Sequence, residues 1–263
     1  MQRPIGRRRL RDPDVLLPLL GTRAMNPTPA SRHSSRLRNR LLAALSPTDL
    51  ALLQPHLRPL VVAVRHEIER PNRRIDAIFF MDAGIASVVA VQADETQIEV
   101  GLVGCEGMTG TAVVLGGTQS PNSTYIQVAG EAQSIRADDL RKAMTTSESL
   151  RTLFLKYVQV FMVQTAHTAI ANARAQIDRR LARWILMAHD RTGDKTLALT
   201  HEFLALMLGV RRPGVTEALQ SLKRQKLIET GRNKIVVLNR GGIEKLAGHS
   251  YGVPEKEYRR LIG

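Results

Sequence analysis

The run Leu199-Thr-His-Glu-Phe-Leu-Ala-Leu-Met-Leu-Gly209-Val-Arg-Arg-Pro-Gly-Val-Thr-Glu-Ala-Leu-Gln-Ser-Leu222 decides the fold of the C-terminal part of the chain. Thr200 is a favourable N-cap for a first helix, and Gly209 stands where a tight turn needs a residue free of the β-carbon clash. A second helix follows, with Pro213 in its first turn. Its core stripe is formed by Val215, Leu219 and Leu222. Two helices joined in this way predict a helix-turn-helix, whose second helix enters the major groove of DNA.

The segment after the helix pair is typical of a β-hairpin, or wing. It has two short strands around Gly231-Arg-Asn, with Arg232 and Lys234 near the tip. The second helix has a further face, opposite its core stripe, that is free to contact DNA. That face carries Arg212, Thr216, Glu217, Gln220 and Lys223.

A helical stretch without Gly or Pro precedes the helix pair, from about Ser147 to Asp190. Its first 30 residues or so would form a rod of about 45 Å, which is longer than a small β-domain needs for its own core. An apolar stripe runs along this rod, through Leu150, Phe154, Phe161 and neighbours at three- and four-residue steps. We expect the stripe to pair with a second copy in a parallel dimer, and the alternative is that it lies along its own β-domain.

The middle of the chain is β-rich. Short β-prone runs at 60–64, 77–81, 86–91, 97–103, 124–128 and 132–135 are separated by turn signals. This spacing predicts an antiparallel β-roll of the jelly-roll type, and the whole chain is therefore expected to be of the α+β class. Before the roll, Ser46 and Pro47 predict the start of a short helix.

Charge is distributed unevenly over the 263 residues, whose formal net charge is +14. Residues 1–40 contribute +8, residues 41–175 contribute −2 and residues 176–263 contribute +8. The basic C-terminal part is therefore the part suited to a polyanionic partner. The basic N-terminal 40 residues are expected to be a disordered tail, and Met25 is a second candidate for the start of translation.

Several functional classes are excluded by composition. The single Cys cannot form an internal disulfide, a four-thiolate zinc site or a cysteine-ligated iron–sulfur cluster. No apolar run reaches the roughly 18 residues of a membrane span, so a cytoplasmic location without membrane contact is expected. The sequence shows no catalytic constellation, and we predict no catalytic residue, no metal site and no enzyme activity.

Residues from about Leu41 to Ala247 resemble the Crp/Fnr family of bacterial transcription regulators. The strongest part is Asp178-Arg-Arg-Leu-Ala-Arg-Trp-Ile-Leu186, together with the helix pair and the Ile235-Val-Val strand. The resemblance implies a homodimer that binds a pseudo-palindromic site in double-stranded DNA, with RNA polymerase as a further partner. It implies a cyclic-nucleotide-binding-like β-roll at 41–146, a dimerisation helix at 147–176 and a winged helix-turn-helix at 177–250, followed by a C-terminal tail at 251–263.

The resemblance also assigns DNA contacts. Arg212 falls where relatives place a base-reading arginine, and Glu217 falls at another base-facing position. Pro213 and Gly214 replace acidic and hydroxyl residues of relatives, so the operator of a relative does not transfer. Backbone contacts are expected from Thr200, His201 and Arg211.

The ligand-binding positions of relatives are altered in this chain. The corresponding positions are Glu106, Gly107, Met108, Asn122, Ser123 and, on the long helix, Thr165. Asn122 stands where relatives pair an arginine with the cyclic phosphate, and an amide brings no positive charge to an anion. The sequence therefore predicts no cofactor and a sensor domain whose ligand is an unknown small effector other than cyclic AMP, or is absent. Cys105 is expected to be a small half-buried residue, with a redox switch as the alternative.

A second function is open on the sequence alone. The chain would then be a ligand-sensing module that regulates through protein–protein contacts, with only nonspecific binding of nucleic acid. Enrichment of one DNA motif would distinguish the two.

Overall fold

The computed structural model describes residues 37–94 and 96–263. In chain order the elements are α1 (Arg40–Ala43), α2 (Pro47–Leu53), β1 (Arg58–Val62), β2 (Glu67–Glu69), β3 (Ala77–Met81), β4 (Ile85–Val91), β5 (Gln97–Val103), α3 (Thr111–Val114), β6 (Ser123–Val128), β7 (Gly130–Arg136), α4 (Ala137–Thr146), α5 (Glu148–Arg174), α6 (Ile177–Thr192), β8 (Thr196–Ala198), α7 (His201–Leu208), α8 (Arg212–Arg224), β9 (Ile228–Gly231), β10 (Lys234–Val237), α9 (Arg240–Ala247) and α10 (Val253–Leu261). The predicted α+β class is confirmed, with an antiparallel β-roll, a long helix and a C-terminal winged helix-turn-helix.

The β-roll consists of two antiparallel sheets, with strand orders β1-β7-β3 and β2-β6-β4-β5. Strand β3 has apolar side chains on both of its faces. Ile78 and Phe80 pack with the helices on one side, whereas Phe79 and Met81 pack with Val103 between the sheets. The period of two in a strand sends successive side chains to opposite faces, so this continuous apolar run fits a strand covered on both sides.

Helix α5 packs along its own roll with one face and leaves another face exposed. Ser147 caps it by accepting a hydrogen bond from Leu150 N at 3.2 Å. Gln164 pairs with both backbone groups of Leu102, at 2.8 and 3.1 Å, which fixes the helix against β5. Leu155, Met162 and Ile170 are exposed on the other side. The stripe residues Leu150, Phe154 and Phe161 pack on the roll of the same chain, so the expected pairing of this stripe with a second copy is wrong and the alternative holds. The face left for a second copy is the exposed one.

The prediction of one continuous helical stretch from Ser147 to Asp190 is wrong, because this part of the chain forms two helices. The helix breaks at Ala175 and Gln176, whose ψ values of 144° and 157° are those of extended backbone. No Gly or Pro marks the break in the sequence. The helices on either side belong to different cores, and α6 is buried on all sides from Leu181 to Ala188. Packing, not local propensity, sets this boundary.

Two predicted tail boundaries are also corrected. Residues 251–263 are not a tail, because α10 packs on α5 and Tyr258 is buried in the core of the roll. The predicted tail at 1–40 lies outside the described residues up to 36. Its last residues belong to the folded body: Asn39 is fully buried and donates to the carbonyl oxygens of Met81 and Gly107, each at 2.8 Å.

The C-terminal domain is built around α6, with α7, α8, α9 and the three-stranded sheet β8-β10-β9 packed on it. Ile85 and Leu102 of the roll enter the same core, so the domain sits directly on the sheet that contains β4 and β5. No helix among the described residues is long and apolar enough to cross a membrane.

Candidate nucleic-acid interface

The turn between α7 and α8 is formed as the sequence predicts. Thr200 Oγ1 accepts a hydrogen bond from Phe203 N at 3.2 Å and caps α7. Gly209 ends that helix at φ +56°, in the left-handed region that L-residues occupy only with strain. The guanidinium of Arg180 on α6 donates to the carbonyl of Leu208 and so satisfies an end carbonyl of α7. This rigid corner fixes the direction of α8.

Helix α8 is amphipathic. Val215, Ala218, Leu219 and Leu222 are buried in the C-terminal core. The opposite side exposes Arg211, Arg212, Glu217, Gln220 and Lys223. The Arg212 guanidinium lies 3.5 Å from the Glu202 carboxylate, but both side chains are about two-thirds exposed, at 67% and 65%. An ion pair this exposed is worth little, so Arg212 is available to another partner.

Some residues predicted to contact DNA have a structural role in the helices instead of a free side chain. The Thr200 hydroxyl acts as the cap of α7, and Thr216 Oγ1 donates to the Arg212 carbonyl at 3.2 Å. A Cβ on Gly214 would lie 3.3 Å from Ile177 Cδ1, which explains the glycine by close packing of α8 on α6. His201 is exposed at the start of α7.

The predicted wing is present. Strands β9 and β10 pair antiparallel with Lys234 opposite Gly231, and Asn233 adopts φ +54° in the turn. Arg232 and Lys234 are both exposed at this tip. The wing and the exposed face of α8 are therefore both available to a polyanion, in a part of the chain with a net charge of +8.

The predicted ligand residues are not brought together. A small cavity of about 30 Å³ in the roll is lined by Met108 and Asn122, with Phe161 of α5 at its side. Glu106 instead forms an ion pair with Arg191 at 2.9 Å, and Thr165 Oγ1 donates to the Phe161 carbonyl at 3.1 Å. Gly107 packs against the Tyr157 hydroxyl. Ser123 lines a different surface depression beside Phe203.

The backbone amide of Gly110 in this small cavity already has an anionic partner. Glu69 Oε1 accepts its hydrogen at 2.7 Å, and burial raises the pKa of that carboxyl. An anion delivered by a ligand would have to displace a carboxylate of the chain itself. Cys105 is half-buried, and burial and the Glu106 charge raise the pKa of its thiol, which disfavours a reactive thiolate.

Sequence reasoning missed a buried contact between the roll and the C-terminal domain. Glu99 on β5 accepts hydrogen bonds from Trp184 Nε1 on α6 at 2.9 Å and from Ser87 Oγ on β4 at 2.6 Å. Burial raises the pKa of Glu99 to about 7, against the opposing effect of these hydrogen bonds and of Arg183 and Arg191. A glutamate between the apolar residues Ile98 and Val100 was the signal available in the sequence. No group of three or more His, Cys, Asp or Glu side chains in the described part of the chain is placed to hold a metal ion.

Comparison with known proteins gives the C-terminal domain a family. The family model for the Crp-like helix-turn-helix domain matches residues 179–246. Residues 179–246 form a Crp-like helix-turn-helix domain. No curated protein matches the chain.

Solved structures extend the likeness to the roll and the long helix. A protein from Eubacterium rectale assigned to the Crp/Fnr transcriptional regulators aligns at TM-score 0.62 and 18% identity, covering 79% of this chain and 97% of its own. FixK2 from Bradyrhizobium japonicum aligns at TM-score 0.62 and 14% identity, covering 73% and 98%. A CRP-family transcriptional regulator from Thermus thermophilus aligns at TM-score 0.59 and 18% identity, covering 72% and 96%. The chain thus has the fold of these Crp/Fnr regulators, and its residues 179–246 match the Crp-like helix-turn-helix domain. The resemblance is confirmed at the level of the fold and of this domain.

Proposed function

We propose that the chain is a transcription regulator that binds a pseudo-palindromic site in double-stranded DNA as a homodimer. The observation that carries the proposal is the exposed face of α8, with Arg212 at its N-terminal end, in a Crp-like helix-turn-helix domain. In this motif the N-terminal residues of the second helix meet the base edges. The role needs no catalysis, and it places the protein with the chromosome in a bacterial cytoplasm.

The exposed residues divide into two kinds of DNA contact. The Arg212 fork matches the two acceptors on the major-groove edge of guanine, whereas Glu217 and Gln220 suit cytosine and adenine edges. Arg211, His201, Arg232 and Lys234 are assigned to phosphates, which position the protein without specifying sequence. Gly214 and Thr216 act by letting α8 approach and by holding its first turn, and Thr200 acts as the cap.

A second copy is the partner that the exposed face of α5 requires. Leu155, Met162 and Ile170 are 41%, 59% and 56% exposed, and their spacing of seven and eight residues places them on one side of the helix. Self-pairing along this stripe would bury them and set two copies of α8 about one helical turn of DNA apart. RNA polymerase remains a predicted partner of the assembled dimer.

The sensor domain is proposed to respond to a small effector other than cyclic AMP, or to none. Three observations support this proposal. The cavity near Asn122 has a volume of about 30 Å³, and Asn122 carries no charge. The Gly110 amide already donates its hydrogen bond to Glu69. Ligand sites for small molecules are typically about 300 Å³ or more.

Selection of DNA from a random double-stranded library tests the proposal. The full chain should enrich one motif with two inverted half-sites whose centres lie about 10 base pairs apart. Enrichment of no motif would contradict the proposal and favour the protein–protein regulatory module. Repeating the binding assay with cyclic AMP should leave the affinity unchanged.

A further inference from the structure

A second cavity, of about 270 Å³, lies where the loop that carries Glu106 meets α5, the end of α6, and α10. We call it the α10 cavity and define it by the lining residues Arg40, Glu106, Tyr157, Arg191, Tyr258 and Arg259. Of the described residues, Phe161 alone lines both this cavity and the 30 Å³ cavity of the roll. The α10 cavity is therefore a separate space from the one near Asn122.

Buried polar atoms without partners line the α10 cavity. In the part of the chain that the structure describes, the hydroxyls of Tyr157 and Tyr258 have no well-aligned hydrogen-bond partner, although the Met108 backbone lies near the Tyr157 hydroxyl. These residues are only 2% and 8% exposed. Oε2 of Glu106 is likewise buried without a hydrogen-bond partner, although its Oε1 lies 2.9 Å from Arg191. Buried polar atoms without hydrogen bonds destabilise the folded chain, so their clustering in one cavity points to a partner that the described residues do not supply.

Charge in the α10 cavity favours an anion. Its three carboxylates are already engaged: Glu106 with Arg191, Asp190 with Arg240 at 2.8 Å, and Glu255 with the backbone of Gly252 at 3.0 Å.

Two further guanidiniums line the same cavity. Among the described residues, Arg40 and Arg259 have no carboxylate within 4.0 Å. Within the described ranges, the Arg40 guanidinium donates to the Asp190 carbonyl at 2.9 Å and to Cys105 Sγ at 3.3 Å, and to no carboxylate. These two cations remain available to a ligand.

We propose that the α10 cavity binds a small hydroxylated organic anion. Its carboxylate or phosphate group lies against Arg40 and Arg259, as charge-assisted hydrogen bonds favour. Its hydroxyl groups meet the Tyr157 and Tyr258 hydroxyls and the free oxygen of Glu106. The volume of about 270 Å³ is just below the lower limit of about 300 Å³ for small-molecule sites, so the ligand should be a small molecule.

A ligand in the α10 cavity would affect the contact between the β-roll and the C-terminal domain. Glu106 belongs to the roll, whereas Arg191 and Arg240 belong to α6 and α9 of the C-terminal domain. A ligand that contacts Glu106 would therefore change the Glu106–Arg191 ion pair, which joins the roll to the C-terminal domain. This consequence for DNA affinity rests on the proposed function, but binding itself does not.

Calorimetric titration of the full chain without DNA tests the site. The probes are citrate, a hydroxycarboxylate, and 3-phosphoglycerate, which adds a phosphate, so the two arms separate carboxylate from phosphate recognition. At least one probe should bind with one site per chain. Arg259→Gln should weaken that binding about tenfold or more, as loss of a charge-assisted hydrogen bond implies.

Matched variants distinguish a built site from general surface charge. Arg260→Gln removes the neighbouring charge on α10, which pairs with Glu257 outside the cavity lining, and it should leave binding unchanged. Val160→Phe should fill the cavity and abolish binding. Arg259 is exposed, so Arg259→Gln should leave the melting temperature of the protein unchanged. The binding result for this variant is therefore informative even if Val160→Phe does not fold. Binding of neither probe, or equal losses in Arg259→Gln and Arg260→Gln, would overturn the proposal and leave a water-filled cavity.

Discussion

At the scale of single residues, Glu99 makes the stability of the chain depend on pH. Its pKa is raised from 4.5 to about 7 by burial, so the folded chain holds this proton more tightly than the unfolded chain does. The free energy of unfolding should therefore fall as pH rises from about 4.5 to about 7, and should not change further through this group above that range. The total effect is on the order of 3 kcal/mol.

Urea unfolding of wild type and Glu99→Gln at several pH values measures this contribution. The amide keeps the shape of the side chain but does not titrate, so the difference in unfolding free energy between the two proteins should change with pH over that interval. A difference that is constant with pH would show that Glu99 stays ionised in the folded protein.

Gly209 is the second residue with a specific expectation. Its φ of +56° is left-handed, and a Cβ would lie 3.2 Å from Ile98 Cδ1. Gly209→Ala should lower the free energy of unfolding by about 1–2 kcal/mol. Gly241→Ala is the control, since Gly241 is in α9 and its nearest neighbour would be 3.9 Å away. That change should be neutral or stabilising, and equal losses at both sites would contradict the role of Gly209.

At the scale of elements, the exposed stripe of α5 predicts dimerisation. Met162→Glu places a charge where a second copy should cover the helix, so the chain should become monomeric at micromolar concentration. Lys142→Glu on α4 also introduces a carboxylate, lowers the net charge by two instead of one, and lies away from α5, so it should leave the dimer intact. Sedimentation equilibrium measures both. A wild-type monomer, or a dimer that survives Met162→Glu, would contradict the assignment of this face.

Elements with strong local signals could be predicted from the sequence, and elements set by distant contacts could not. Strands β3 and β5 have the predicted bounds 77–81 and 97–103, because turn residues enclose each apolar run. The residue pattern missed the break at Ala175, near which only the family resemblance placed a boundary, and it missed the helix α10. The break has no local marker, and α10 is a polar segment whose helical role depends on burying Tyr258 against α5. Pro254 at its start was the available signal.

At the scale of the whole molecule, functional surfaces with local sequence signals could also be predicted, and those that depend on distant contacts could not. The exposed face of α8 and the wing were predictable, since caps, glycine and periodicity fix a helix-turn-helix locally. The sensor cavity was not, because the Glu106–Arg191 pair and the Glu69–Gly110 contact join residues 85 and 41 positions apart. The resemblance to Crp/Fnr regulators implies that Glu106 lies at a ligand position in the roll, whereas in the folded chain Glu106 pairs with Arg191 on α6.

Sequence-specific reading of DNA by α8 is the property on which the proposed function rests. The most direct test compares wild type, Arg212→Ala and Arg232→Ala on the selected site and on a random-sequence duplex, by fluorescence anisotropy at one fixed salt concentration. Arg212→Ala should lose about 1–3 kcal/mol, or roughly 5- to 150-fold, on the selected site and little on the random duplex. Arg232→Ala should weaken both about equally, as a phosphate contact does. Equal losses for Arg212→Ala on both duplexes, or no loss on either, would contradict the assignment of α8 as the reading helix.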